Sequence, residues 1–428
     1  MNYKVKNTRI HNTVQIRLYC YAMYSIFKVI IIGIYYNKIL DLNVLYNSYK
    51  LCRKGVDWKY STQRFEANLL QELNVLRHSL IDRTYEVKPF TEFDINERGK
   101  PRHIRSPQLI DRVLQRAICE EVLEPVLSKY LIYDNGASVK DKGVEFTRSR
   151  LVHNLQSYWK QYGNEGYILV GDFSKFFDSI PHDKLINMVA KKINDEEFID
   201  LFAKIVRSFG DKKGVGLGIG AQISQICGVF YPTPIDNYVK IVKGCKYYGR
   251  HMDDFYIIHH DKELLKQLLA EIKKIAIELG LTLNEKKTHI CKINRGFIFL
   301  KQHIFIGKKG HIVQKPCKQN ITHERRKLKK FREKLDNGEM TIDTIKQQYK
   351  SWRGGIEKYD SHKVIKKMDK LFKELFTSQD ICKICLCEDR CIMSKRCWNC
   401  PAWNDDKKKG KYRWKWKKYE KPNRKREL

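Results

Sequence analysis

Two apolar runs that end in acids stand out from the pattern of the chain. Tyr167-Ile168-Leu169-Val170-Gly171 leads into Asp172, followed by Phe176-Phe177 and Asp178. Tyr248-Gly249-Arg250-His251-Met252 leads into Asp253-Asp254 and then Phe255-Tyr256-Ile257-Ile258. Aromatic and β-branched runs of this kind predict strands, and the second predicts a β-hairpin with the acid pair at its tip. Elsewhere the period is mostly helical. Phe65, Leu69, Leu73 and Leu76 recur at helical spacing within a stretch from Leu42 to about Leu80. Residues Thr84 to Phe90 alternate like a strand, and Arg98-Gly99 marks a turn before the basic run Lys100-Pro101-Arg102-His103-Ile104-Arg105. Asp111 opens a helix expected to reach about Leu127, and Asp134 to Gly143 is a turn-rich loop. A helix pair is predicted over His182 to Phe209, then a glycine-dense loop from Gly214 to Gln225 that lacks the Lys-Ser/Thr ending of a Walker loop. Lys262 to Gly280 reads as an amphipathic helix with a glycine cap. Phe297 to Leu300 reads as a strand, and Arg325 to Phe376 as lysine-rich helix interrupted at Ser351-Trp352-Arg353-Gly354-Gly355.

Charge and cysteine content sharpen this picture. The 428 residues carry a formal net charge of +34. The stretch from Lys407 to Leu428 has twelve lysines and arginines against two glutamates, so +10 sits in the tail and the rest is spread over the body. A body that basic points to a polyanionic partner, with a general bias toward Lys, Ile, Asn and Tyr as the plainer explanation. The tail itself, Lys411-Tyr412-Arg413-Trp414-Lys415-Trp416-Lys417-Lys418-Tyr419, alternates rings and cations, which suits stacking on bases beside phosphates. Of 13 cysteines, seven are scattered singly and six fall between Cys382 and Cys400. The odd total argues against a disulfide framework and for a reducing, cytoplasmic setting. Cys382-x-x-Cys385 and Cys397-x-x-Cys400, with eleven residues between them, have the spacing of a tetrahedral structural Zn²⁺ site. Cys387 and Cys391 are spare thiols that can exchange into it, and a reactive thiol cluster is the alternative. Leu18 to Tyr36 is nearly long and apolar enough for a membrane span, but Lys28 in its middle argues for a buried helix or an upstream extension.

The acids carry the candidate chemistry. Neighbouring carboxylates in an apolar run repel one another, and a divalent cation relieves that repulsion. A polar hairpin tip is the plain alternative for Asp253-Asp254 alone; Asp172, at the end of a second strand, weighs against it. If the two strands share a sheet, Asp172, Asp253 and Asp254 meet at one end. Oxygen ligands suit hard cations, and two Mg²⁺ ions about 3.5–4 Å apart clamp the attacking and leaving oxygens of a phosphoryl displacement.

With these residues in view, the chain resembles the reverse transcriptases over roughly residues 42–376. Asp172 to Asp178 resembles their first palm motif, and His251-Met252-Asp253-Asp254 their aromatic-x-Asp-Asp motif, with His251 in place of the usual Tyr or Phe. Asp111-Arg112-Val113-Leu114-Gln115 matches a further run of the family. The resemblance implies an α+β right-hand fold: an N-terminal extension over 1–41, fingers over 42–165, a ferredoxin-like palm over 166–303 and a helical thumb over 304–378. The Cys-rich module over 379–403 and the tail over 404–428 follow. It implies Mg²⁺ on Asp172, Asp253 and Asp254, with Lys100 and Arg102 gripping the incoming triphosphate. Phe177 would exclude a 2′-hydroxyl, Gln225 would line the nucleotide site, and Lys287 would approach the leaving pyrophosphate. Ile219 to Gln225 and Ser351-Trp352-Arg353-Gly354 are similar to the group found in diversity-generating retroelements, whereas group II intron relatives usually end the former motif in Ser-Pro. The implied activity is RNA-directed DNA synthesis from dNTPs on an RNA template and primer duplex, together with an accessory protein of the same element. Three other readings stand beside it: an antiviral-defence enzyme making untemplated or self-primed DNA, an RNA polymerase of the same hand shape, and a non-catalytic nucleic-acid-binding scaffold.

Overall fold

The computed structural model describes residues 33–97, 100–210 and 214–376. The apolar stretch before residue 33, the zinc site expected at Cys382, Cys385, Cys397 and Cys400, and the basic-aromatic tail lie outside the described residues. The chain divides into two compact units, between Val313 and Gln314.

Among the described residues, the first unit opens on four helices, α1 (Ile34–Ile39), α2 (Leu42–Arg53), α3 (Tyr60–Ala67) and α4 (Leu69–Ile81). Strands β1 (Thr91–Glu97) and β2 (Lys100–Ser106) form a hairpin, followed by α5 (Leu109–Ile118), a π-turn over Cys119–Leu123 and α6 (Glu124–Leu127). The helix expected from Asp111 to about Leu127 is therefore present, with one wide turn inside it. The strand expected over residues 84–90 is not. That segment pairs with no strand; the Asp111 carboxylate takes that place. It accepts from the Tyr85 hydroxyl at 2.8 Å and from the Lys88 N–H at 3.1 Å. Pairing begins only after Pro89, at Thr91.

Helix α7 (Val144–Tyr162) leads into β3 (Tyr167–Asp172), the short α8 (Phe176–Ser179), α9 (His182–Ala190) and α10 (Glu196–Phe209). The α10 cap, Asp195, accepts from the Phe198 N–H and also from the N–H groups of Tyr35 and Tyr36, which ties α1 to α10. Then come α11 (Gln222–Phe230), α12 (Thr233–Asn237), β4 (Tyr248–His251), β5 (Asp254–His259), α13 (Lys262–Glu278) and β6 (His289–Lys292). Helix α13 starts on an Asp261 cap and ends at Gly280, whose φ of 76° completes the expected glycine stop. Strands β7 (Phe297–Phe299) and β8 (Gln302–Ile306) pair antiparallel.

The central sheet has the order β4-β5-β3-β6, with every neighbour antiparallel. Both faces are covered. Leu169, Phe255 and Ile257 enter one core, whereas Ile168, Val170, Tyr256 and Ile258 enter a second with Leu151 and Leu155 of α7. Double burial explains why these strands are near-continuous apolar runs rather than half-polar ones. Gly171 is required by this packing: a Cβ there would lie 2.1 Å from the ring of Phe255, its register partner.

The second unit holds α14 (Lys318–Asp336), α15 (Ile342–Glu357) and α16 (His362–Leu375). Its core is Leu328, Phe331, Ile342, Ile345, Tyr349, Met368, Phe372 and Phe376. The interruption expected at Ser351–Gly355 does not occur, since α15 runs through it. Trp352 stacks on Tyr349 and Arg353 pairs with Asp369 and Glu357, while Gly354 and Gly355 have nothing within 4 Å of where a Cβ would stand. The anchored neighbours carry the helix past two glycines that cost it about 1 kcal/mol each.

Candidate active site

The register of β3 and β5 sets the site. Asp172 is the direct antiparallel partner of Asp254, and His251 of β4 is the partner of Asp254 on its other side. Side chains alternate along a strand, so Asp172 shares the face of Ile168 and Val170, and Asp254 that of Tyr256 and Ile258. Both carboxylates thus project from the same face at the same end of the sheet. Met252 and Asp253 form the turn, with Met252 at φ 56°. Asp172 is buried, and Asp253 and Asp254 are half-buried.

The loop after α13 closes on Asp172. Its main-chain carbonyl accepts from the Asn284 N–H at 2.7 Å, and its N–H donates to Thr288 Oγ1 at 3.4 Å. Its carboxylate accepts from Asn284 Nδ2 at 3.2 Å on Oδ2 and from Lys287 Nζ at 2.7 Å on Oδ1. Burial works against the Lys287 ammonium, but the hydrogen bond and charge of Asp172 outweigh it and hold its pKa above the ordinary lysine value. Burial, then the Asp253 and Asp172 charges, push the Asp254 carboxyl up to about 7. Burial and the Asp172 charge raise Asp253 as well, while the Arg102 charge acts on it in the opposite sense.

This is an all-oxygen donor set under mutual repulsion, the chemistry that a hard divalent cation satisfies. As the side chains stand, no three His, Cys, Asp or Glu groups among the described residues converge on one metal position. The oxygens of Asp172 are engaged by Lys287 and Asn284 instead.

The remaining predicted residues are spread around this centre. Arg102, opposite Ile95 on the exposed β1–β2 hairpin, reaches Asp253 electrostatically. Lys100 lies at the tip of the same hairpin opposite Glu97, and its side chain is outside the described set. Phe177 lies beside the acid turn: a Cβ on Gly228 of α11 would meet Phe177 Cε1 at 2.9 Å and Met252 Sδ at 3.3 Å. Gln225 is exposed on α11 and accepts from the Ser138 hydroxyl at 3.2 Å. It lines a cleft of about 870 Å³ with Arg116, Glu124, Lys140 and Gln222, and none of the three acids lines that cleft. His251 meets Thr147 of α7, with Nδ1 and Oγ1 2.9 Å apart, and burial followed by the Arg148 charge lowers its pKa.

Sequence reasoning missed Asn284 and Thr288 on Asp172, Thr147 on His251, and a buried group of Tyr248, Arg250 and Asp236 beneath the turn. For the last group a signal was there to read. An arginine inside an apolar strand needs a buried acid, and Asp236 is an acid inside an apolar helix.

An antiparallel sheet, covered on both faces, thus carries opposed acids at one end. The chain belongs to the reverse transcriptase (RNA-dependent DNA polymerase) family, whose profile matches residues 88–355. It is accordingly an RNA-directed DNA polymerase, a nucleotidyltransferase. Among curated relatives it is similar to protein YkfC of Escherichia coli, 26% identical over 63% of this chain and 80% of that protein. It is also similar to the putative COX1/OXI3 intron 2 protein of Saccharomyces cerevisiae, 25% identical over 46% of this chain and 23% of that one. An uncharacterized 91 kDa protein in the cob intron of Schizosaccharomyces pombe is 28% identical over 42% and 23%. The chain thus spans less than a quarter of the intron proteins. A solved structure of telomerase from Candida albicans, in complex with a fragment of telomeric RNA, aligns with a TM-score of 0.42 at 12% identity, over 68% of this chain and 55% of that one. Among the described residues no helix is long and apolar enough to cross a membrane.

Proposed function

We propose that this chain extends a primer on an RNA template with dNTPs, as part of a diversity-generating or related bacterial retroelement. The primer 3′-oxygen forms a bond to the α-phosphorus, the α–β phosphoanhydride bond breaks, and pyrophosphate departs. The supporting observation is the direct pairing of Asp172 with Asp254, with Asp253 at the adjoining turn. On this reading Asp172, Asp253 and Asp254 would hold two Mg²⁺ ions, which would lower the charge barrier at the reacting phosphate. Lys287, whose ammonium donates to Asp172 Oδ1, would have to give up that contact for Asp172 to hold a cation. Arg102 and Lys100, on the β1–β2 hairpin, grip the triphosphate; guanidinium suits that task by donating paired hydrogen bonds. Phe177, packed against Gly228, closes the space a 2′-hydroxyl needs.

On this reading β1–β2 with the helices around it are the fingers, the four-stranded sheet is the palm, and α14–α16 are the thumb. The retroelement setting draws support from the Ile219–Gln225 motif. Primer extension on a defined RNA template, with dNTPs and rNTPs supplied separately, tests the activity. The expected outcome is template-matched dNTP addition, with rNTP addition emerging in Phe177→Val. Native preference for rNTP, or no addition of either, would overturn the reading.

A further inference from the structure

The turn that carries Asp253 hangs on one buried guanidinium. Arg250 and Asp236 are both wholly buried and paired. Arg250 Nε donates to the two Asp236 oxygens at 2.8 and 3.1 Å, and Nη2 donates to Asp236 Oδ2 at 2.5 Å and to the Val229 carbonyl at 2.8 Å. Nη1 donates to the Met252 carbonyl at 3.0 Å. The Tyr248 hydroxyl donates to Asp236 Oδ1 at 2.5 Å, which sets the carboxylate plane. The main chain of Arg250 is fixed too. Its N–H donates to the Asp134 carbonyl at 3.2 Å, and its carbonyl accepts from the Gly136 N–H at 3.2 Å.

Met252 sits at φ 56°, a left-handed conformation that costs a residue with a side chain about 1–2 kcal/mol. The carbonyl that Arg250 holds belongs to the same rigid peptide plane as the Asp253 N–H. Fixing that oxygen therefore fixes the direction in which the chain enters the acid pair. The same guanidinium holds Val229, next to Gly228, against which Phe177 and Met252 pack. An ion pair that only filled the core would not need a donor aimed at the turn.

We infer that Arg250 is a positioning residue, clamping the Met252–Asp253 peptide through Asp236 and Tyr248 so that Asp253 and Asp254 face Asp172 ready for a divalent cation. The inference rests on the polymerase reading of the site. A lysine at this position keeps the charge but lacks the planar fork that serves Asp236, Val229 and Met252 together.

The test uses the full chain as wild type, Arg250→Lys, Met252→Asn and the double variant. Mn²⁺ binding is read by electron paramagnetic resonance, with thermal melting, RNA–primer duplex affinity and the Mg²⁺ dependence of extension alongside. Arg250→Lys is expected to melt cooperatively and bind duplex like wild type, yet to lose about tenfold in Mn²⁺ affinity and to need correspondingly more Mg²⁺. Asparagine enters the left-handed region more readily, so Met252→Asn in the Arg250→Lys background should recover at least about threefold of that loss. Unchanged Mn²⁺ affinity in Arg250→Lys, or a loss that Met252→Asn does not recover, would overturn the positioning role. Should Arg250→Lys fail to fold, Tyr248→Phe, which leaves the charges paired, must weaken Mn²⁺ binding; no change there would overturn the role equally. A wild type that binds Mn²⁺ at these acids but extends no primer counts against the polymerase reading and not against the clamp.

Discussion

Asp254 is costly to keep ionised in the metal-free chain. Its carboxyl is pushed up to about 7 by burial and by the Asp253 and Asp172 charges, against about 3.9 in an unfolded chain. Between those values the folded state holds a proton that the unfolded state has released, so folding stability falls as pH rises through this window. The metal-free protein should therefore melt at a higher temperature at pH 5 than at pH 8. Asp254→Asn should flatten this dependence and raise the pH 8 melting temperature, by about 1–2 kcal/mol in stability. Mg²⁺ added at pH 8 should stabilise the wild type more than the variant, since a ligand that binds only the folded state stabilises it by mass action. Scanning calorimetry checks all three; equal pH profiles in wild type and variant would contradict the like-charge cluster.

At the scale of elements, the sheet positions the acids through close packing rather than through turn chemistry alone. Gly171 lies across from Phe255, and a methyl there would stand 2.1 Å from its ring. Gly171→Ala should cost about 1–3 kcal/mol, read by denaturant unfolding, and should lower activity further by shifting Asp172. A variant of unchanged stability would mean that β3 is free to slide, which the register argument forbids. Much at this scale is legible in the sequence. The apolar runs before Asp172 and around Asp253-Asp254 are strands, the acid pair is at a hairpin turn, and Gly280 stops α13. Their register is not legible, because it joins residues 172 and 254 across five helices and local pattern carries no long-range partner. Residues 84–90 alternate like a strand yet pair with a side chain, and Gly354-Gly355 look like a break yet sit in α15. In both places tertiary packing outweighs the local pattern. The Arg250–Asp236 pair is visible only as two misplaced charges until the fold brings them together.

Across the whole molecule, positive charge dominates. The second unit alone presents Arg325, Arg326, Lys329 and Lys330 on α14, with Lys363, Lys366, Lys367 and Lys370 on α16, all exposed around an apolar core. Together with the formal charge of +34, this predicts strongly salt-dependent binding to an RNA–primer duplex. With about six or more phosphates neutralised, affinity should fall on the order of 10³-fold between 50 and 200 mM salt, measured by fluorescence anisotropy. A flat salt profile would mean that these cations face something other than a polyanion.

The central claim is that Asp172, Asp253 and Asp254 form one cation-holding centre that drives nucleotide addition, separate from the surface that binds nucleic acid. Primer extension by Asp253→Asn, measured beside its affinity for the same RNA–primer duplex, tests this most directly. The account predicts extension reduced by at least about 10²-fold with duplex affinity within about twofold of wild type. Extension at the wild-type rate would contradict it.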